Sequence, residues 1–270
     1  MTDDGWQHNS SLVESLLSGF VEKKDDVDPQ YEPMLIANHD GRTMEYAIKD
    51  ELGRSQNFDM SVAFVSQGAL QTLKQNFLDF ADSNDHRSGR IITSTFNYFN
   101  SPKAFAELLK LQQETGIQVR IWQPGQTDET EDTADFPYHP KGYVFHHSDD
   151  DEPLYSTYIG SSNLTINALN SNREWNLRVA TTDTSGLAEQ LTAEINSQIS
   201  ESKPLTDAWL KLYEEDFKRY APPRRPNRRQ TQDAGTITPN AMQVEALMNL
   251  AQLRKQGESR AIIISATGTG

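Results

Sequence analysis

The chain has no cysteine, which excludes disulfides and thiolate metal sites and suits an intracellular, cytoplasmic protein. No apolar run approaches the length of a membrane span, so no membrane partner is expected. The opening "MTDDGWQHNSS" lacks the basic start and apolar stretch of a secretory signal. Basic residues are in deficit, 25 Lys and Arg against 39 Asp and Glu, and the net charge of −14 argues against a protein that coats nucleic acid with its whole surface. The acid collects in "EKKDDVD", "DETEDTAD" and "SDDDE", which read as solvated loops. The one dense basic run is "RRPNRR", residues 224–229, so any polyanion site is local. That run reads equally as a phosphate grip or as a solvated linker.

With 36% hydrophobic and 24% charged residues the composition is that of an ordinary globular protein, and 270 residues suffice for one large domain with appendages. Residues 10–24 place Leu12, Val13, Leu16, Leu17 and Phe20 at helical spacing, which predicts an amphipathic helix, and residues 1–32 then form this helix and an acidic connection. From residue 33 strands and helices alternate. "MEYAIKDEL", "GALQTLKQNFLDFA" and "SPKAFAELLKLQQETG" are expected helices, the last with Ser101 as N-cap and Pro102 at its first position. "FDMSVAFV", "GRIITST" and "IQVRIW" are expected strands. The alternation implies an α/β fold with a largely parallel sheet. Past residue 135, "YHPKGYVFH" and "LYSTYIGSS" read as an antiparallel hairpin joined by the acidic "HSDDDEP". A short helix, the strand "REWNLRVATT" and helices near 185–200 and 206–220 complete the domain.

Chemistry concentrates in residues 137–176. In "PYHPKGYVF", His139 and Lys141 are two apart, so an extended chain turns both to one side. In "YIGSSN", Ser161 and Asn163 repeat that spacing, and Glu174 follows at the start of the next strand. A lone His-x-Lys is more often a half-exposed strand pair; the ordered set of five is what points to a catalytic site. "HHSDDDE" reads either as a metal site or as a charged hairpin tip, and adjacent acids on one loop rarely close a defined cage. Trp122, Trp175 and Trp209 read as core or interface residues.

The set His139, Lys141, Ser161, Asn163 and Glu174 resembles the phospholipase D superfamily, in particular its nuclease branch. The resemblance covers residues 33–220 in element order and implies a mixed, largely parallel sheet with helices on both faces. It also implies metal-independent phosphodiester cleavage through a phosphohistidine. Lys141 and Asn163 would hold the non-bridging oxygens, Glu174 would accept a ring N–H of His139, and Ser161 would donate within the site. Two imidazoles are needed and the motif occurs once, so the resemblance implies a homodimer with a composite site and DNA as partner. Where the fuller motif has Asp five residues after Lys, this chain has His146, which removes one support for the lysine. It also leaves open whether His146 or His147 supplies the second imidazole.

Residues 221–238 have the Pro, Arg and polar content of a linker. Residues 239–270 resemble the opening of a superfamily 2 helicase, with Gln243 as the adenine-reading glutamine and Gly268 and Gly270 in a phosphate loop. The resemblance implies ATP and Mg only for a full-length protein with the remaining helicase domains in cis, of which this chain would be a fragment. A binding or dimerisation module of such a helicase is the alternative to a nuclease.

Overall fold

The computed structural model describes residues 10–21, 23, 25, 28, 29, 31–82, 87–123, 137–149, 152–222, 250, 253, 256 and 257. Two compact units divide the chain, Met1–Pro222 and Pro223–Gly270. In the second, the backbone turns at Gln256–Gly257, with Gln256 N donating to the Leu253 carbonyl. Gln243, Gly268 and Gly270 lie outside the described residues, as do residues 223–238 of the expected linker.

The first unit holds one eight-stranded sheet among its described residues. In chain order its elements are α1 (Ser10–Phe20), β1 (Met34–Ile36), α2 (Met44–Arg54), β2 (Asn57–Val62), α3 (Gln67–Asp82), β3 (Ser88–Ser94), α4 (Pro102–Thr115) and β4 (Gln118–Trp122). There follow β5 (Lys141–Asp149), β6 (Glu152–Gly160), α5 (Ile166–Asn170), β7 (Asn176–Thr182), α6 (Gly186–Ser200), β8 (Ser202–Pro204) and α7 (Asp207–Tyr220). The sheet order is β1-β7-β6-β5-β2-β3-β4-β8.

Local chemistry accounts for the helix ends. Thr43, Ser101, Ser185 and Thr206 each accept a backbone N–H from the first turn of the helix they precede. Helix α4 has Pro102 in its first turn and stops at Gly116, which takes the left-handed conformation at φ 73° that favours glycine.

The sheet is mixed, and it is less parallel than the alternation of elements implies. Only β2–β3 and β3–β4 run parallel, linked by the crossover helices α3 and α4; the other described pairings are antiparallel. Two causes operate. The β5–β6 connection is too short for a crossover, so the half of the sheet after residue 137 is a meander. The edge strands β1 and β8 have three residues each, too few to register as a periodic pattern, and both add antiparallel.

Strand alternation divides the core in two. Phe58, Met60 and Val62 of β2 face a large layer built with Ile48, Leu73, Phe105, Leu169 and Tyr213 from the flanking helices. On the opposite face a smaller cluster joins Ala63, Ile92, Tyr138 and Val144 to Ile195, Leu191 and Ile199 of α6. Helices thus cover both faces. Helix α1 departs from expectation: it buries Leu12, Ser15 and Ser18, while Leu17 and Phe20 stay exposed. Gly19 explains the choice of face, since a Cβ there would lie 2.4 Å from Pro33 Cδ. Close approach of the backbone to that proline, more than apolar spacing, sets the helix orientation.

Candidate active site

Both motifs hang on the exit of β2. The backbone of Ala63 donates to the Pro140 carbonyl at 3.0 Å, which draws the residue after His139 onto the strand end. Just beyond, Phe64 N donates to Asn163 Oδ1 at 3.2 Å and Ser66 N to the Leu164 carbonyl at 3.0 Å. The register of β5 supplies the third side: Lys141 lies opposite Val62, and Gly142 opposite Ile159 at the end of β6. His139, Lys141, Ser161, Asn163 and Glu174 therefore gather at one end of the sheet, where the parallel strands β2 and β3 finish.

Buried anchors hold these exposed groups. Tyr138, next to the histidine, is buried with Trp122 stacked on its ring at 5.0 Å. Its hydroxyl meets Ser61 Oγ at 2.8 Å and donates to Gln198 Oε1 at 3.0 Å. Burial pushes the phenol pKa up, so it stays a protonated donor. Under the Gly-Ser-Ser-Asn turn, Tyr143 donates to the Ser162 carbonyl at 2.9 Å. Asn176 accepts from Ser162 N at 3.1 Å and donates to Ser162 Oγ at 2.8 Å. At Gly160 an added Cβ would fall 2.0 Å from the Trp175 carbonyl, so only glycine lets the two backbones approach this closely.

Lys141 Nζ donates to His139 Nδ1 at 2.8 Å and to the His139 carbonyl at 3.1 Å. The ring of Phe64 stands edge-on to the imidazole at 5.5 Å, with Lys141 Nζ 6.0 Å above its centroid. Partial burial and the adjacent ammonium both push the His139 pKa below its ordinary value, so the imidazole is neutral at neutral pH. Burial also lowers Lys141, and the charge of Glu174 acts in the opposite sense. A neutral imidazole beside a cation, on an exposed strand end, can meet a phosphoryl group. With Oδ1 of Asn163 committed to Phe64, its donor end Nδ2 is the one left to a ligand.

Glu174 is placed differently from expectation. Its carboxylate accepts from Ser161 Oγ and, at 3.2 Å, from Asn172 Nδ2. The ring of His139 bonds to Lys141, and no bond to Glu174 is among those described. The reason is the turn: Trp175 N donates to Ser161 Oγ at 3.0 Å, which pins the serine beside the carboxylate that precedes that tryptophan. Ser161 does donate within the site, and its acceptor is Glu174.

His146 and His147 lie far from this end. They belong to strand β5, not to a loop, and His146 pairs with Asn57 at the other end of β2. The strand turns them to opposite faces, His146 toward Asp59 at 3.6 Å and His147 toward Glu51 at 2.8 Å. Neither supplies a second imidazole to the site. Nor does the residue in the Asp position support Lys141, because five residues of extended strand separate them. Phe64, Tyr143, Ser162 and Asn176 carry no signal in the sequence, since their roles arise from strand pairing.

The profile of the family described as "Cardiolipin synthase, PLD-like domain" matches residues 55–199, more than half of the chain. The chain belongs to this family. The PLD-like domain thus spans β2 to α6 and includes every expected catalytic residue. Comparison with curated protein sequences returns no match. Among solved structures, NucT from Helicobacter pylori is similar at 12% identity and a TM-score of 0.47, covering 64% of this chain and 98% of its own. The phospholipase D family member Nuc from Salmonella typhimurium is similar at 15% identity and a TM-score of 0.42, with the same coverages of 64% and 98%. Polyphosphate kinase from Porphyromonas gingivalis follows at 11% identity and a TM-score of 0.44, covering 62% of this chain and 26% of its own. Among the described residues no helix is long and apolar enough to cross a membrane.

Proposed function

We propose that this PLD-like domain is a metal-independent phosphodiesterase that cleaves DNA through a phosphohistidine on His139. The observation that carries the reading is the contact of Lys141 Nζ with His139 Nδ1 at 2.8 Å on an exposed strand end. At rest the ammonium covers the lone pair of that nitrogen. An arriving phosphate draws Lys141 onto its own oxygens and uncovers the imidazole, while Asn163 Nδ2 donates to the same group. The ring nitrogen then bonds to phosphorus as the P–O bond of the leaving nucleotide breaks. A second imidazole protonates that oxygen, takes a proton from water, and the resulting hydroxide displaces His139.

The second imidazole is assigned to another copy of the chain. Support comes from an uncovered strip of sheet beside the site. Leu35, Leu177 and Ile159 sit opposite one another across β1, β7 and β6, and they are 51%, 42% and 51% exposed. Trp175, 71% exposed, continues the strip to the Ser161–Glu174 turn, and open space lies above Gly142 across from Ile159. Apolar residues in such a row suit a self-complementary twofold interface. The neighbour in cis is an ATP-driven helicase, on the resemblance of residues 239–270, and it favours DNA over lipid as substrate.

The test is DNA cleavage in EDTA by the purified chain and by its His139→Ala form, with phosphatidylcholine in parallel. Cleavage that needs His139 and survives EDTA supports the reading; loss with EDTA and survival of the substitution sinks it. Light scattering gives the second arm: Leu177→Asp is expected to yield inactive monomers, and an active monomer removes the composite site. A second reading, a domain that holds nucleic acid or pairs the helicase without cutting, draws on Glu174 being bonded to Ser161.

A further inference from the structure

Phe99 is half exposed beside the catalytic pair, although a large aromatic gains most from burial. The loop before it explains how it is held there. A 3-10 turn, Phe96–Tyr98, follows β3, and Asn97 and Tyr98 adopt left-handed φ values of 49° and 55°. Such a conformation is strained for non-glycine residues and persists only where the surroundings impose it. Tyr98 turns inward, stacking on Tyr213 of α7 at 6.0 Å and meeting Phe217 edge-on. Asn100 is fully buried: its side chain donates to the carbonyls of Ala63 and Ser94 and to Thr93 Oγ1, and accepts from Val65 N at 2.7 Å. Tyr213 donates to the Asn100 backbone carbonyl at 2.7 Å. Between these two inward anchors the chain has one direction left for Phe99, which is outward.

The outward ring does not stand alone. Phe99 lies 4.6 Å from Phe64, which in turn meets His139 in a T-shaped contact and has Lys141 Nζ over its ring. The surface thus passes from the ammonium and imidazole, which suit a phosphate, to an aromatic platform one ring away. That sequence of groups matches a nucleotide whose phosphate sits at His139 and whose base lies against a π-face. Stacking of this kind reads the face of any base, and the base must be unstacked from its duplex to reach it.

We propose that Phe99, backed by Phe64, is a base-stacking platform that makes unpaired nucleic acid the preferred substrate of the His139 site. This rests on the nuclease reading above.

The experiment uses the full chain carrying His139→Ala, so that DNA is bound and not cut, and a single-stranded oligonucleotide containing 2-aminopurine. Binding is expected to quench the 2-aminopurine fluorescence, and the same oligonucleotide in a duplex is expected to bind more weakly. Adding Phe99→Ala should weaken single-strand binding roughly five- to a hundredfold, the span of one base–aromatic stack. Phe99→Trp should restore it and Phe99→Leu should not. Equal affinities with and without the Phe99→Ala substitution, rescue by leucine, or a preference for duplex overturns the platform. The two readings fail separately. If the unaltered chain cuts DNA yet the Phe99 substitutions change nothing, the platform alone falls. If the unaltered chain cuts no DNA of either form, the nuclease reading falls and takes this one with it.

Discussion

The two ends of the sheet carry the same residue types in opposite electrostatic settings. At one end His139 is exposed and its nearest ionic neighbour is the cation Lys141. At the other, His147 is buried against Glu51, a carboxylate with no exposure at all. Glu51 also accepts from Ser156 Oγ at 2.6 Å, Tyr158 at 2.7 Å and Arg54 at 2.8 Å. On the opposite face of the sheet Asp59 takes Arg90 as a two-pronged partner, with His146 at 3.6 Å. Burial raises both carboxyl pKa values, but the hydrogen bonds and cations around them outweigh it, and each ends below its ordinary range. Among the described residues here, Glu51 is paired with Arg54 and Asp59 with Arg90. At the His139 end the Lys141 ammonium is hydrogen-bonded to His139 and not to a carboxylate, which leaves it as the charge that a phosphate would neutralise. Histidine beside carboxylate is structure here; histidine beside lysine is the proposed site.

The sharpest way to break the contrast is to remove each histidine in turn. His139→Ala is expected to lower DNA cleavage on the order of a thousandfold or more without changing the urea midpoint. His147→Ala should lower the midpoint while properly folded protein keeps its cleavage rate. Reversed outcomes would exchange the roles of the two ends.

Next in size is the carboxylate itself. Glu51→Ala leaves Arg54 without its buried counter-charge and empties the buried position beside His147, and should cost about 3 kcal/mol in urea unfolding. The same group sets a pH window. Its folded pKa of about 2 lies below the ordinary value of 4.5, so its contribution is complete above 4.5 and is lost as pH falls toward 2. The loss should total about 3 kcal/mol in the unaltered chain, followed by urea titrations at stepped pH, and should be missing from Glu51→Ala.

At the His139 end a subtler shift is expected. Lys141→Met removes the ammonium that helps hold the His139 pKa down, so its titration by NMR should move upward. No movement would mean that burial alone sets the value. The smallest effect is Gly160→Ala, which forces the backbones at Trp175 and Asn176 apart, costing about 1–3 kcal/mol and slowing cleavage through displaced Ser161 and Asn163.

The ordered set His139, Lys141, Ser161, Asn163 and Glu174 was legible as a candidate group, although only Lys141 lies within a strand and the others sit in the segments that flank β5, β6 and β7. The helix start at Ser101 was equally legible, since an N-cap is a local bond. The direction of Glu174 was not. Its partner depends on which backbone N–H reaches Ser161, and that is decided by the β6–β7 register. The position of His147 was also misjudged: an acidic stretch reads as loop, and the strand runs on through it because Leu154 pairs across from it.

What the sequence by itself determined is the roster of chemical groups and the order of most helices and strands, because both follow from composition and short-range geometry. Only the tertiary structure decided that His139 meets Phe64 while His147 meets Glu51. Pairing across a sheet joins residues remote in the chain, and which charge faces which is fixed by register, a property no local stretch contains.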